Sequence, residues 1–563
     1  MARGGAAPPH LQVPRAAGEP ARRRCVEPLS ERHGCERRRG ARAVNGAVAV
    51  LALCGSLLLW GASACGPDAA SQPTASTHLA APSASGATRN PTDPAVEAQG
   101  PRPDLLLVVI DTLRADHLST YGYPRPTSPQ IDALGARGVV CTDATSQSSW
   151  TLPSMASLLT GRRMFENARR LPRDTPSLAE RLAAAGYETA AFVGNPNLTR
   201  TGGFARGFDH FITRDDTGGT TWDAPDLEAA VNDWLAQHPP GDQPRFVYLH
   251  LLDPHWPYEP AQELTLSGRP RLRDDTLEAW MEQVRESEHL QRNFDRDRRS
   301  ILKDIDAYDH EIAVTDAAFG RLLSALGTRD QLVVLASDHG EGLWDHAHHQ
   351  KVVAADLERE GRSLDDATLR DLFFRDHSYH MFEELISTPL VLAGPGLPSG
   401  LRVDVPVENI DIAPTLLRAA GLPDDPTLEG RALQDVAAGR GVAAPFVYAH
   451  AKEATAVRRT RDGTKFIFPT STGDHFGMPM MLFDLPSDRH ERRNLAFKDR
   501  QLSRDERARL VALLKQRERA AKAFDLFDGE DSEAIDDGVR AAMAELGYVG
   551  AGFDDEGEGD DER

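Results

Sequence analysis

Residues 104–110 read Asp-Leu-Leu-Leu-Val-Val-Ile, with no polar side chain after the first, and Asp111 follows at once. A strand with one wet face alternates apolar and polar residues, so a run without alternation marks a strand covered on both faces. Similar runs recur at 189–193, 246–251, 332–336 and 389–393, with helical periodicity at 176–185, 227–236, 301–326 and 412–420. Strand alternating with helix predicts an α/β sandwich around a mostly parallel central sheet. Residues 262–300 and 352–372 are polar and charged, and read as surface insertions. Short strand candidates at 464–468 and 481–485 predict a small C-terminal α+β subdomain.

Open parallel sheets bind ligands beyond the carboxyl ends of their strands. Asp111 closes the first strand, Asp253 and His255 follow the third, and Asp338 and His339 follow the run at 332–336. In Ser337-Asp338-His339-Gly340-Glu341-Gly342, adjacent carboxylate and imidazole suit a small dication, and glycine lets the chain bend. A second chemical signal is Thr151-Leu152-Pro153-Ser154-Met155, which leads an apolar run to Gly161. That order predicts an N-cap hydroxyl, a proline in the first turn, two turns of helix and a glycine stop. A hydroxyl there lies against unpaired N–H groups and the positive end of the helix dipole, a place suited to an anion. Taken alone, Thr151 reads equally well as a simple helix cap, and Asp111 as an acid bonding to a turn.

Charge and cysteine usage bound the partners. Residues 1–65 carry ten Arg and four Glu, leaving 54 basic against 81 acidic groups in the remainder. So acidic a body argues against nucleic acid, whose binding rests on neutralising phosphates. The apolar run at 47–64 follows an Arg-rich stretch and ends in Ala62-Ser63-Ala64-Cys65, a signal-peptide pattern. Cys65 sits where a bacterial lipoprotein carries its lipid, so an exported cell-envelope protein is expected, lipid-anchored or held by a single uncleaved span. Four of five cysteines lie in that leader and only Cys141 lies in the body, which excludes a disulfide framework or a cysteine metal site. The expected organisation is a leader at 1–44, a hydrophobic segment at 45–65 and a flexible linker at 66–103. A catalytic domain at 104–440, a C-terminal subdomain at 441–500, and a helical segment with an acidic tail at 501–563 follow.

Pro153, Ser154, Leu159, Thr160, Gly161 and Arg162 resemble the nucleophile segment of the sulfatase family, within the alkaline-phosphatase superfamily. Thr151 stands where sulfatases carry the Cys or Ser converted to formylglycine, and Met155 replaces the family's Arg. Thr cannot be so converted, but it is the nucleophile in related phosphodiesterases and phosphoethanolamine transferases. Asp111-Thr112-Leu113-Arg114-Ala115-Asp116 resembles the first metal motif, with Thr112 in place of a second Asp, and Arg114 and Asp116 expected to pair. Asp253-Pro254-His255-Trp256-Pro257-Tyr258, His377-Ser378-Tyr379-His380 and Asp411-Ile412-Ala413-Pro414-Thr415 match further family phrases. The resemblance runs from about 104 to 496, and weakly to Leu546-Gly547-Tyr548.

The resemblance implies a hydrolase of phosphoric or sulfuric esters in which Thr151 attacks and His255 assists. Asp111, Thr151, Asp338 and His339 would hold one divalent ion. Imidazole favours zinc or manganese, with calcium the all-oxygen alternative. His255, His377 and Lys351 would bind the substrate anion, while Asp253, His255 and His377 could instead hold a second metal. His346, His348 and His349 read as a solvated loop cluster. The substrate is a small-molecule, glycan or lipid ester. A head-group transferase is the alternative, and a non-catalytic relative of the fold is the weakest reading.

Overall fold

The structure, a computed structural model, describes residues 102–496 except 165–169, 218–221, 260–265, 271, 328, 379, 441–442, 452 and 471–477. The leader, the hydrophobic segment, all but the end of the linker, and the charged C-terminal segment, Leu546-Gly547-Tyr548 included, lie outside the described residues. No described helix is long and apolar enough to cross a membrane.

Among the described residues, eight strands form the central sheet. Across it they run Leu401–Val403, Val139–Cys141, Leu390–Ala393, Gln331–Ala336, Asp104–Ile110, Arg245–Leu251, Glu188–Val193 and His210–Thr213. Leu390–Ala393 is antiparallel to both neighbours, and the other described pairings in this sheet are parallel. The central strand explains its own composition. Leu105, Leu107 and Val109 enter one core, while Leu106, Val108 and Ile110 enter the other. Each such side chain contributes roughly 1.5–3 kcal/mol on burial, so a polar residue on either face would be costly. Helices Thr151–Thr160, Leu178–Ala184 and Ile412–Ala419 cover the first core. Pro129–Ala136, Ala224–Gln237 and the 39-residue Glu288–Leu326 cover the second.

The stretch at 262–300 is not a polar surface insertion. It forms helix Asp274–Glu286 and the first turns of Glu288–Leu326, and it buries Trp280, Val284 and Leu290 against the sheet-covering helices. Residues 350–359 are likewise helical, with Val353 and Leu357 buried. The C-terminal part is a four-stranded antiparallel sheet: Phe446–His450, Ala454–Arg459, Thr464–Pro469 and Met481–Asp484. Its Ala456, Ile467 and Phe483 pack on Phe382 and Leu385 of the body. Fully buried Lys465 joins the two, its Nζ lying 2.8 Å from both Glu383 and Glu491.

Register places the chemistry. Val109 is opposite His250 on one side and Ala336 on the other. The carboxyl ends of three central strands therefore lie level, and Asp111 and Asp338, just beyond two of them, meet His250 near the end of the third.

Candidate metal and nucleophile site

Asp111, Thr151, Asp338 and His339 are fully buried and converge. Nε2 of His339 lies 3.3 Å from Oγ1 of Thr151, 3.4 Å from Oδ2 of Asp338 and 3.8 Å from Oδ1 of Asp111. The protein fixes one side of each group and leaves one donor atom facing inward. Oδ2 of Asp111 accepts from Asn195 Nδ2 at 2.5 Å and faces His250 Nε2 at 3.1 Å, whereas Oδ1 has no partner. Oδ1 of Asp338 accepts the backbone N–H groups of His339 and Thr112, at 2.8 and 3.3 Å, whereas Oδ2 has no partner. Nδ1–H of His339 donates to the Gly340 carbonyl at 2.9 Å, which leaves the lone pair on Nε2. Buried carboxylate oxygens without partners are costly, and a set of two carboxylates, one imidazole and one hydroxyl fits a small N/O-binding dication.

Electrostatics agree with that fit. Burial alone would raise Asp111, but the His250 hydrogen bond, then the nearby His255, outweigh it and hold the carboxyl well below its ordinary value. Burial, then repulsion from Asp111, pushes Asp338 well up. Burial, then neighbouring His377, lowers His339 to about 3, so the ring is a neutral donor.

Thr151 is not the helix cap. Trp150 occupies the cap position without a side-chain bond, and Thr151 is the first helical residue. Its hydroxyl reaches His339 and Asn195 instead. The glycine stop is as expected, with Gly161 in the left-handed region at φ 66°. The helix is tied to the metal-side strand end, because Ser154 Oγ donates to the Asp338 carbonyl at 2.6 Å and Ser146 Oγ donates to the same oxygen. Met155 points into the sheet core and is fully buried. Gly340 does not serve by bending the chain through a positive φ. A Cβ there would meet the Glu384 carbonyl at 1.9 Å, so close backbone approach excludes a side chain. Thr112, at φ 53°, sits in the left-handed region beside the site, and its buried hydroxyl has no partner. Arg114 pairs with Asp116 as expected, and with Asp345 as well.

His255 is buried, its ring 5.0 Å from that of His377, which in turn lies 4.5 Å from that of His339. Burial would lower His377, but Asp376 and Glu341 outweigh it and raise the ring to about 9. Its Nδ1 lies 3.1 Å from Asp376 and 3.4 Å from Glu341. Asp253 stands apart from this arrangement. Its Oδ1 accepts the Ala224 N–H at 2.8 Å, at the start of helix Ala224–Gln237, so its carboxylate fastens that helix. Lys351 is exposed in the first turn of helix Gln350–Arg359, and no described contact joins it to the buried group. The histidine cluster does not form a solvated loop either: His346 is buried, pairs with Glu384 and stacks on Phe382.

Sequence reasoning missed His250 and Asn195. Both ring nitrogens of His250 are engaged, Nε2 with Asp111 and Nδ1 with the Tyr248 hydroxyl at 2.7 Å. The ring therefore orients Asp111 rather than offering a free ligand atom. A histidine inside an apolar strand was the signal. Asn195 follows the strand Glu188–Val193, and the strand-end rule applied there would have found it.

A family model described as Sulfatase matches residues 103–422, more than half of the chain. The chain belongs to the sulfatase family. Relatives in this family are ester hydrolases. An ulvan-active sulfatase of Formosa agariphila is 26% identical over 372 residues, covering 60% of this sulfatase-family chain and 65% of that protein. Among solved structures, a 2-O GAG sulfatase aligns with TM-score 0.56 at 21% identity, covering 78% of this chain and 96% of that one. The phosphonate monoester hydrolase of Agrobacterium radiobacter aligns with TM-score 0.51 at 19% identity, covering 74% and 96%. Both confirm the α/β sandwich with a mostly parallel sheet.

Proposed function

We propose that this chain is a metal-dependent hydrolase of phosphodiesters or phosphonate monoesters, with Thr151 as the nucleophile. The observation that carries the reading is the hydroxyl of Thr151, 3.3 Å from His339 Nε2 and beside the two partnerless carboxylate oxygens of Asp111 and Asp338. Asp111, Asp338, His339 and Thr151 would hold the cation, zinc or manganese by their donor set. Such an ion lowers the pKa of a bound hydroxyl and neutralises charge on the group transferred. Thr151, held by its helix, presents the attacking oxygen and carries the phosphoryl group as a covalent ester until water displaces it. His377 keeps its proton near neutral pH because Asp376 and Glu341 flank it. It supplies positive charge, and a proton for the departing oxygen, with the His255 ring beside it.

Formylglycine hydrate releases sulfate by collapsing to the aldehyde, and a threonyl sulfate has no such exit. Phosphoryl esters accept a second external attack more readily, which favours them here. The sulfate-ester reading keeps support from the ulvan-active relative. Metal analysis of the purified protein, followed by matched nitrophenyl phosphodiesters, phosphonates and sulfates, tests the choice. Faster turnover of the sulfate ester would overturn the phosphoryl assignment.

A further inference from the structure

We infer that Asn195 is a catalytic residue, an amide that holds the nucleophile's oxygen through both halves of the reaction. The inference rests on Thr151 being the nucleophile. Asn195 Oδ1 accepts the Asn197 backbone N–H at 2.8 Å, and its Nδ2 donates to the Asp111 carboxyl at 2.5 Å. The flipped amide would set an oxygen against that carboxylate and an NH2 against an N–H, so the orientation is unambiguous. The same Nδ2 lies 3.3 Å from Thr151 Oγ1 and can only donate to it. The Thr151 oxygen is thereby an acceptor toward Asn195, and its own proton is turned away from that amide.

In the first half, Oγ1 bonds to phosphorus as the bond to the leaving alcohol breaks, and the hydroxyl proton ends on that alcohol. In the second half, a water oxygen bonds to phosphorus as the Oγ1–phosphorus bond breaks, and a proton returns to Oγ1. Charge gathers on Oγ1 in both halves, before attack and at departure, and an N–H donor already aimed at it gains strength at those moments.

The competing explanation is that Asn195 only orients Asp111. The experiment uses the full protein with bis(4-nitrophenyl) phosphate at saturating manganese, with rapid quench and mass analysis of the peptide bearing Thr151. Asn195→Ser keeps an acceptor for the Asn197 N–H, and so the turn, but its hydroxyl is too short to replace the amide. It should lower kcat roughly 10- to 100-fold, the loss of a hydrogen bond to a charged group, with KM little changed and the Thr151 ester forming slowly. Asn195→Asp should fall further, since it sets a carboxylate against Asp111 and Oγ1. Full kcat of Asn195→Ser once manganese saturates would overturn the inference in favour of Asp111 orientation. A wild type that turns over without ever forming a Thr151 ester would instead overturn the nucleophile, and this inference with it.

Discussion

Replacing Asp253 by Asn separates a helix fastener from a cation ligand. The carboxyl is buried, with Oδ1 accepting the Ala224 N–H and Oδ2 without a partner. Burial raises it from the ordinary 3.8 to about 7, and in turn it helps burial raise neighbouring Glu311 to about 9. Below the ordinary value both folded and unfolded chains hold the proton, and nothing is lost. As pH rises the unfolded chain ionises first, and stability drains until the folded carboxyl ionises too, near 7. From pH 5 to 8 that covers roughly two tenfold steps of 1.36 kcal/mol, about 3 kcal/mol. Asn keeps the acceptor for Ala224 and carries no charge. Urea unfolding at pH 5 and pH 8 should therefore show the wild type losing about 3 kcal/mol more than Asp253→Asn, and metal content should not change. An equal loss in both proteins, or loss of metal from the variant, would refute the fastener reading.

Thr151→Ala should abolish ester turnover, whereas Thr151→Ser should retain part of it in the same assay; full activity in the Ala variant would remove the nucleophile. Asp338→Ala and His339→Ala should each lose bound metal and activity together by elemental analysis, and full occupancy in either would mean the cation sits elsewhere. Gly340→Ala must push against the Glu384 carbonyl and should lower the thermal midpoint by several degrees, as calorimetry would read. Mass analysis of the mature N-terminus should find lipid on Cys65, and an unmodified chain beginning at Met1 would count against export by cleavage.

The core strands were legible because burial on both faces leaves a seven-residue signature without alternation, as at Asp104–Ile110. Val139–Cys141 and Leu401–Val403 were not, since three residues carry too little pattern. Helix Glu288–Leu326 begins 13 residues before its expected start, because its first turns hold few apolar residues and owe their place to Leu290 and a Ser287 cap. Asp111, Asp338 and His339 stood out at strand ends and Thr151 at a helix start, and the family resemblance joined them into one site. His250 hid inside an apolar strand, and its role depends on a cross-strand register that a linear reading does not contain. Lys351 shows the converse, since a spacing carried over from relatives ignored the helix that turns it outward.

The two serines that grip the Asp338 carbonyl have a consequence for how such a site changes over time. Ser146 and Ser154 bind the backbone of the ligand-bearing turn, not the side chain at 151. The socket for the proposed nucleophile is thus held by parts that do not touch its side chain. A lineage can exchange the residue at that position, and with it the route by which product leaves, while the frame that aligns it with Asp111, Asp338 and His339 stays put. The chemistry at that position can then change without a rebuilt fold.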